Sequence, residues 1–428
     1  MNNKYDKYKD SGIEWIGEIP KHWNTRRLNV LAKLQTGNTP PKENDINTYY
    51  ADEGFLWVKP DNLSNFNPIQ DTNEYLNEEG YKIARVVPAG TPLVCCIGTI
   101  GKYGVANQDV AFNQQINAVI FNNMMNNKFG LYHISCQEEQ HWFYANGNVV
   151  QILNSQNQGK ILFACPPIDE QQRIADYLDK KCGEIDRVVE TEKAVIEKLK
   201  VYKQSIITEA VTKGLDKTVP LKDSGIEWIG KIPQHWEVKN SRRFFKERKE
   251  RLRNDDKQLT ASQKYGIIAQ EEFMKLENQK VMTVFKGEDI LKHVEPNDFV
   301  ISMRSFQGGI EHSRVRGCIS SAYVMLIPND KIYPLFYKWV FKSITYIQAL
   351  QSTSNLIRDG QAMRFNNFVQ VPIMLLPKEE QQQIADYLDK KCSEIDKAIA
   401  DKEQVIEKFK EYKKSLIYEC VTGKRKVC

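Results

Sequence analysis

At 428 residues the chain is too long for one ordinary core, and length alone implies two to four domains. With 41% hydrophobic and 27% charged residues the composition is globular, and no stretch approaches the roughly eighteen unbroken apolar residues of a membrane span. The net charge of +5 does not by itself mark a nucleic-acid binder, and nine scattered cysteines without Cys-x-x-Cys spacing argue against a disulfide framework or structural zinc.

The first residues carry a little positive charge but no apolar core, so no signal peptide is expected and a cytoplasmic location is. Residues 9–23 form a block that returns at 222–236, identical at thirteen of fifteen positions. Between the first block and residue 165 the pattern is of short strands and turns, at 55–58, 85–97, 104–106 and 118–121. A helix is predicted over 129–141.

After Pro167 the pattern turns helical and stays so. The early carboxylates Asp169 and Glu170 suit a helix N-terminus. Seam residues then step by seven through Leu178, Ile185, Glu192, Leu199 and Ile206. A companion column runs through Cys182, Val189, Ile196, Lys203 and Ala210. A sustained seven-residue spacing with charged flanks is a coiled-coil seam. The run stops near Gly214.

The second half repeats this plan. Strands are expected at 298–303, 308–310 and 322–327, and a helix over 333–350. The nonapeptide at 174–182 recurs unchanged at 384–392, inside a second long helix that begins near Glu379. Its seam holds Leu388, Ile395, Lys402, Phe409 and Leu416, beside Cys392, Ile399, Ile406, Lys413 and Cys420. Cys182 and Cys392 read as small buried hydrophobes.

Each helix should be about 65 Å long at about 1.5 Å per residue. Antiparallel packing would relate the halves by a pseudo-two-fold axis and bring Glu192 and Lys402, the charged centres of the two seams, together. Such a polar pair would set register more than it adds stability. The expected fold is therefore α+β. Two domains of mixed helix and strand, 1–165 and 215–376, are joined by an antiparallel coiled coil made of 166–214 and 377–428.

The inserts between the repeated blocks are rich in side chains that read DNA. The first offers Lys102, Tyr103, Asn107, Asn113, Gln114, Gln115, Asn157 and Lys160. The second offers Arg304, Gln307, Arg314, Arg316, Arg358, Gln361 and Arg364. Asn, Gln and Arg bond purine edges two atoms at a time in the major groove, and Lys and Arg hold phosphates. Residues 239–253 add eight Lys/Arg against two Glu, enough to line a phosphate track. Taken singly, such runs also occur as plain loops and solvated faces. Their appearance in both inserts makes the joint case.

The repeated motifs resemble those of the specificity subunits of type I restriction-modification systems. The carriers are Gly12, Trp15, Ile16, Gly17, Ile19, Pro20 and Trp23, their second copy from Gly225 to Trp236, and the Pro-Pro-x-x-Glu-Gln-Gln-x-Ile-Ala-x-Tyr-Leu-Asp stretch from Pro166 to Asp179. The second copy of that stretch has Leu376-Pro377 in place of the double proline. The resemblance spans essentially the whole chain. It implies two target-recognition domains, each reading one half of a bipartite double-stranded DNA site. The helices would space the halves and dock two modification (methyltransferase) subunits, with restriction (ATP-dependent translocase and nuclease) subunits joining for cleavage. S-adenosylmethionine, ATP and Mg would belong to those partners, and no cofactor or metal to this chain.

The residues agree that catalytic equipment is lacking. No Gly-x-x-x-x-Gly-Lys-Ser/Thr loop, Gly-x-Ser-x-Gly or His-Glu-x-x-His occurs, nor the Asn/Asp-Pro-Pro-Tyr/Phe of amino-methyltransferases. His22 and His235 read as packing beside the tryptophans. Because the inserts differ, the half-sites should differ too, lying about one helical turn or slightly more apart. Two other readings stay open on residues alone: an orphan DNA-binding regulator, and a coiled-coil scaffold whose inserts bind protein.

Overall fold

The two copies of the opening block fold alike. Tyr8–Asp10 pairs antiparallel with Glu18–Pro20, and Leu221–Asp223 with Lys231–Pro233. Gly17 and Gly230 turn the chain at φ +68° and +67°, a region costly for any residue with a Cβ. Trp23 and Trp236 close each block and are fully buried. The computed structural model describes residues 4–41, 48–147, 149–278, 290–302, 305–353 and 363–427.

The chain divides into two compact units, residues 1–192 with 404–428, and residues 193–403. Each long helix contributes to both. In the first unit an antiparallel sheet orders Tyr103–Val105, Pro92–Cys95, Ile116–Phe121 and Ala32–Thr36. A second sheet contains Phe55–Val58 and Val110–Phe112 in a parallel pair. Leu56, Val58, Leu93, Phe112 and Ile116 pack between them. Strand Asn24–Arg27 pairs with Leu162–Cys165, which leads into the first long helix, Ile168–Lys213.

The second unit carries the same plan on other residues. Glu237–Lys239 pairs with Ile373–Leu375, which leads into the second long helix, Lys378–Val421. A four-stranded sheet orders Phe245–Arg248, Val324–Pro328, Phe299–Ile301 and Glu311–His312. Its core is aromatic, with Phe245, Phe299, Tyr337, Phe341 and Phe368 in mutual ring contact.

Within each unit the helix segments run antiparallel. In the first, Asp186 bonds Lys413 at 2.7 Å, and earlier Tyr177 faces later Arg425. In the second, Lys203 bonds Asp396 at 2.7 Å, and later Gly214 lies against earlier Glu380. The seam is as its period requires. Leu178, Ile185, Leu388, Ile395 and Leu416 are buried; Leu199, Ile206 and Phe409 are half-buried. Glu192 ends its segment of the first unit and Lys402 belongs to the second, both half-buried. Cys182 and Cys392 are buried, and burial pushes both thiols up to about 11.

Three expectations are corrected. The helix predicted over 129–141 is two, Asn127–Ile134 and Glu138–Tyr144, and that over 333–350 is also two, Pro334–Val340 and Ile344–Ser352. A serine stands at each break, ending the first helix in one case and opening the second in the other. Ser135 donates its hydroxyl to Tyr132 O at 2.6 Å and Ser343 to Val340 O at 2.7 Å, diverting carbonyls at the break. Residues 308–310 are not a strand: Ser305–Gly308 is a helical turn, and the strand begins at Glu311. Gly309 crosses there at φ +81°, where an added Cβ would meet Phe341 O at 2.2 Å.

Candidate nucleic-acid interface

What fixes each insert to its helix is written in the repeated stretch. Gln171 and Gln381 are buried at the helix starts. Gln171 Nε2 donates to Met124 O and Pro166 O, and its Oε1 accepts from Asn126 N–H. Gln381 does the same with Lys331 O, Leu376 O and Tyr333 N–H. One helical residue earlier, Glu170 lies 2.8 Å from His22 Nε2 and accepts from Tyr5 OH at 2.6 Å. Glu380 lies 2.8 Å from His235 Nε2 and accepts from Trp236 Nε1 at 3.1 Å. Two turns on, Asp179 accepts from Tyr132 OH at 2.8 Å, and Asp389 from Trp339 Nε1 at 2.6 Å. The sequence reading took these as motif letters and missed their roles. Their recurrence at one spacing was the signal available.

The candidate readers of the first unit divide by burial. Asn107, Gln114 and Lys160 are exposed. Lys102 is half-buried and donates to Pro60 O at 2.7 Å, while Tyr103 lies edge-on to Phe66 and burial raises its phenol well above the usual range. Asn113 is buried in a turn, accepting from Gln115 N–H at 3.1 Å and donating to Gln115 Oε1 at 3.0 Å. Cys95 and Cys96 donate their N–H groups to Lys102 O and Gln115 O, both at 2.7 Å. That brings the 102 and 115 segments to one strand end. Asn157 and Lys160 form a separate pair, joined at 2.8 Å.

In the second unit Gln307, Arg314, Arg316 and Arg364 are exposed. Arg304, Arg358 and Gln361 lie outside the described residues. Arg314 and Arg316 share the loop before Gly317–Ile319, and Arg316 bonds Asp255 at 2.7 Å. Behind it the buried His293 ring lies between Asp256 at 2.6 Å and Glu295 at 2.8 Å. The basic run 239–253 is partly spent on internal pairs. Arg248 forks onto buried Asp298 at 2.7 and 3.0 Å, Arg253 holds Glu250 and Glu295, and Lys239 holds Glu237. Arg242, Arg243, Lys246, Lys249 and Arg251 remain exposed.

These side chains can donate to phosphates and base edges, and the exposed amides can bond adenine. Among the described residues no group of His, Cys, Asp and Glu is arranged to hold a metal ion.

Residues 20–200 match the family described as the type I restriction modification DNA specificity domain. The chain is 24% identical over 430 residues to the putative type I restriction enzyme MjaX specificity subunit of Methanocaldococcus jannaschii, which covers 96% of each chain. It is 30% identical over 104 residues to the type I restriction enzyme HindI specificity subunit of Haemophilus influenzae, 24% of this chain and 22% of that one. Two solved structures are similar in fold. One belongs to a study of complex assembly and conformational transition of the type I restriction-modification system, with TM-score 0.68, 14% identity, and 94% and 98% of the chains covered. The other is the HsdS subunit of Thermoanaerobacter tengcongensis, with TM-score 0.50, 15% identity, and 95% and 98% covered.

Proposed function

Because this chain belongs to the type I restriction-modification specificity subunits, we propose that it reads a bipartite, asymmetric double-stranded DNA site, one half with each insert. As a member of that family it acts with DNA and with other subunits of the system. In this reading residues 1–165 and 215–376 are the two readers, and 166–214 and 377–428 space them and dock two modification subunits. Val201 and Tyr202, 71% and 58% exposed on the first long helix, offer an apolar face for such a partner. Methyl transfer from S-adenosylmethionine and ATP- and Mg-dependent cleavage fall to the partners, and this chain is non-catalytic. The setting is cytoplasmic; among the described residues no helix is long and apolar enough to cross a membrane.

One observation carries the reading. The same Gln and Asp anchors hold both inserts to their helices, yet the surfaces they present differ. The exposed candidates of the first unit are two amides and a lysine, and those of the second are mainly arginines. One frame with unlike surfaces suits two unlike half-sites. The test is selection of bound duplexes from a random pool by the complex purified through this chain. Two different blocks separated by a spacer of fixed length are expected. A single contiguous or palindromic motif overturns the proposal.

A further inference from the structure

We infer that three exposed cations on adjoining segments of each unit grip DNA phosphates, an inference that rests on the DNA-binding reading above. In the first unit Arg26 and Arg27 end strand Asn24–Arg27, where Arg27 pairs with Leu162. The next two residues donate N–H groups to Ile161 O at 2.8 Å and Gly159 O at 3.0 Å, which places Lys160 on the adjoining segment. In the second unit Arg242 and Arg243 form the single turn Ser241–Arg243. Ser241 donates its hydroxyl to Val371 O, and the turn packs on helix Phe365–Gln370, which Arg364 precedes. Thus Arg26, Arg27 and Lys160 lie on adjoining segments of one unit, Arg26 and Arg27 on opposite faces of their strand, and Arg242, Arg243 and Arg364 on adjoining segments of the other.

All six are exposed, and among the described residues none is engaged by a carboxylate. The neighbouring Arg248 and Arg253 are neutralised internally, so cation content alone does not define these sets. The two sets use different backbone positions. Ladder register equates Arg26 with Lys239, since Asn24 faces Cys165 and Glu237 faces Leu375 at the same distance from their helices. What recurs is an arginine pair a few residues after the buried tryptophan that closes each opening block. Its flanking residues recur as well: Asn24, Thr25, Arg26, Arg27 and Leu28 are matched by Asn240, Ser241, Arg242, Arg243 and Phe244, after a three-residue insertion. The inserts otherwise share little. A contact common to both readers of an asymmetric site cannot discriminate its halves, so its partner is the feature both halves share. That feature is the sugar-phosphate backbone.

The test uses the complex purified from its source cells through a tag on this chain, with Arg26→Ala/Arg27→Ala and Arg242→Ala/Arg243→Ala as separate variants. Binding to a random-sequence duplex of about three helical turns is followed against salt. Each released phosphate contact lowers the slope of log affinity on log salt by about 0.9, so each variant should lose about 1.8. The corresponding Arg→Lys pairs should restore the slope. Preference among half-sites should stay unchanged, because the loss is uniform across sequences. An unaltered slope in variants of a complex that binds DNA overturns the inference alone. A wild-type complex with no salt-dependent DNA binding overturns the DNA reading as well. Loss of co-purifying subunits at constant slope would make these segments a protein interface and also sink the inference.

Discussion

Gln171 and Gln381 each satisfy one backbone N–H and two carbonyls at the mouth of a helix, and each is buried. Truncation leaves those groups with neither protein nor water, at about 1–3 kcal/mol for a buried unsatisfied group. Gln381→Ala should therefore lower unfolding stability by that amount, while substitution of exposed Gln382 should change it by under about 0.5 kcal/mol. Denaturant titration of both variants decides it, and equal losses would refute the anchoring role. Two buried histidines of the first unit set a pH dependence. Burial holds His133 down to about 3 and His141 down to about 4. Ala164 N–H donates to His133 Nε2 at 3.0 Å, which keeps that nitrogen an acceptor and the ring neutral. Unfolded, both titrate near 6.5, so the unfolded chain binds more protons below that pH. Their stabilisation is complete above about pH 6.5 and falls with pH toward the folded values, by up to about 2.7 kcal/mol per unit near pH 5. Urea midpoints at pH 7 and 5 should diverge, and His141→Gln should shrink the divergence; equal midpoints would refute it. At this scale the sequence disclosed identities but not roles. Gln171 was visible as a repeated letter, and only its three partners show why it repeats. Asn113 looked like a reader of bases and is instead buried in a turn, because side-chain direction in a loop is set by tertiary neighbours that composition does not encode.

The long helices were legible because a seven-residue period held through five seam positions, from 178 to 206 and from 388 to 416, has few other meanings. The period also ranks the contacts. Leu388 is fully buried in the core of its unit, whereas the Lys203–Asp396 pair has an aspartate 57% exposed. Leu388→Ala should cost about 2–5 kcal/mol and Lys203→Ala about 0.2–1 kcal/mol. Chemical denaturation of the two variants provides the measurement, and a larger loss for the lysine would reverse the assignment of the seam as the stabilising feature. The shorter helices were less legible. Apolar periodicity runs on through Ser135 and Ser343, and what breaks it is a hydroxyl turning back onto a carbonyl three residues earlier. Periodicity counts faces and is blind to that competition. Strands fared better where aromatic and β-branched residues cluster, as at Phe55–Val58 and Ile116–Phe121, and worse where glycine made a turn look like a strand edge near 308–310.

For the whole molecule, duplication with divergence makes a demand that neither unit makes alone. The anchors Gln171 and Asp179 are matched by Gln381 and Asp389, so the attachment of an insert to its helix does not depend on which insert it is. An insert should then be exchangeable as a module. Replacing residues 24–165 by the corresponding segment of a related specificity subunit keeps the first helix and its anchors intact. In the bipartite reading this swap changes one half of the recognised site and leaves the other half and the spacer as they were. Mapping methylated adenines in cells that carry the chimera reads all three at once. If both halves changed together, the units would not be independent readers, and the surfaces singled out on each would have to act as one. A change of spacer with both halves retained would place the recognition surfaces outside the exchanged segment. Only a change confined to one half is compatible with the frame acting as a fixed mount and the insert as the part that reads.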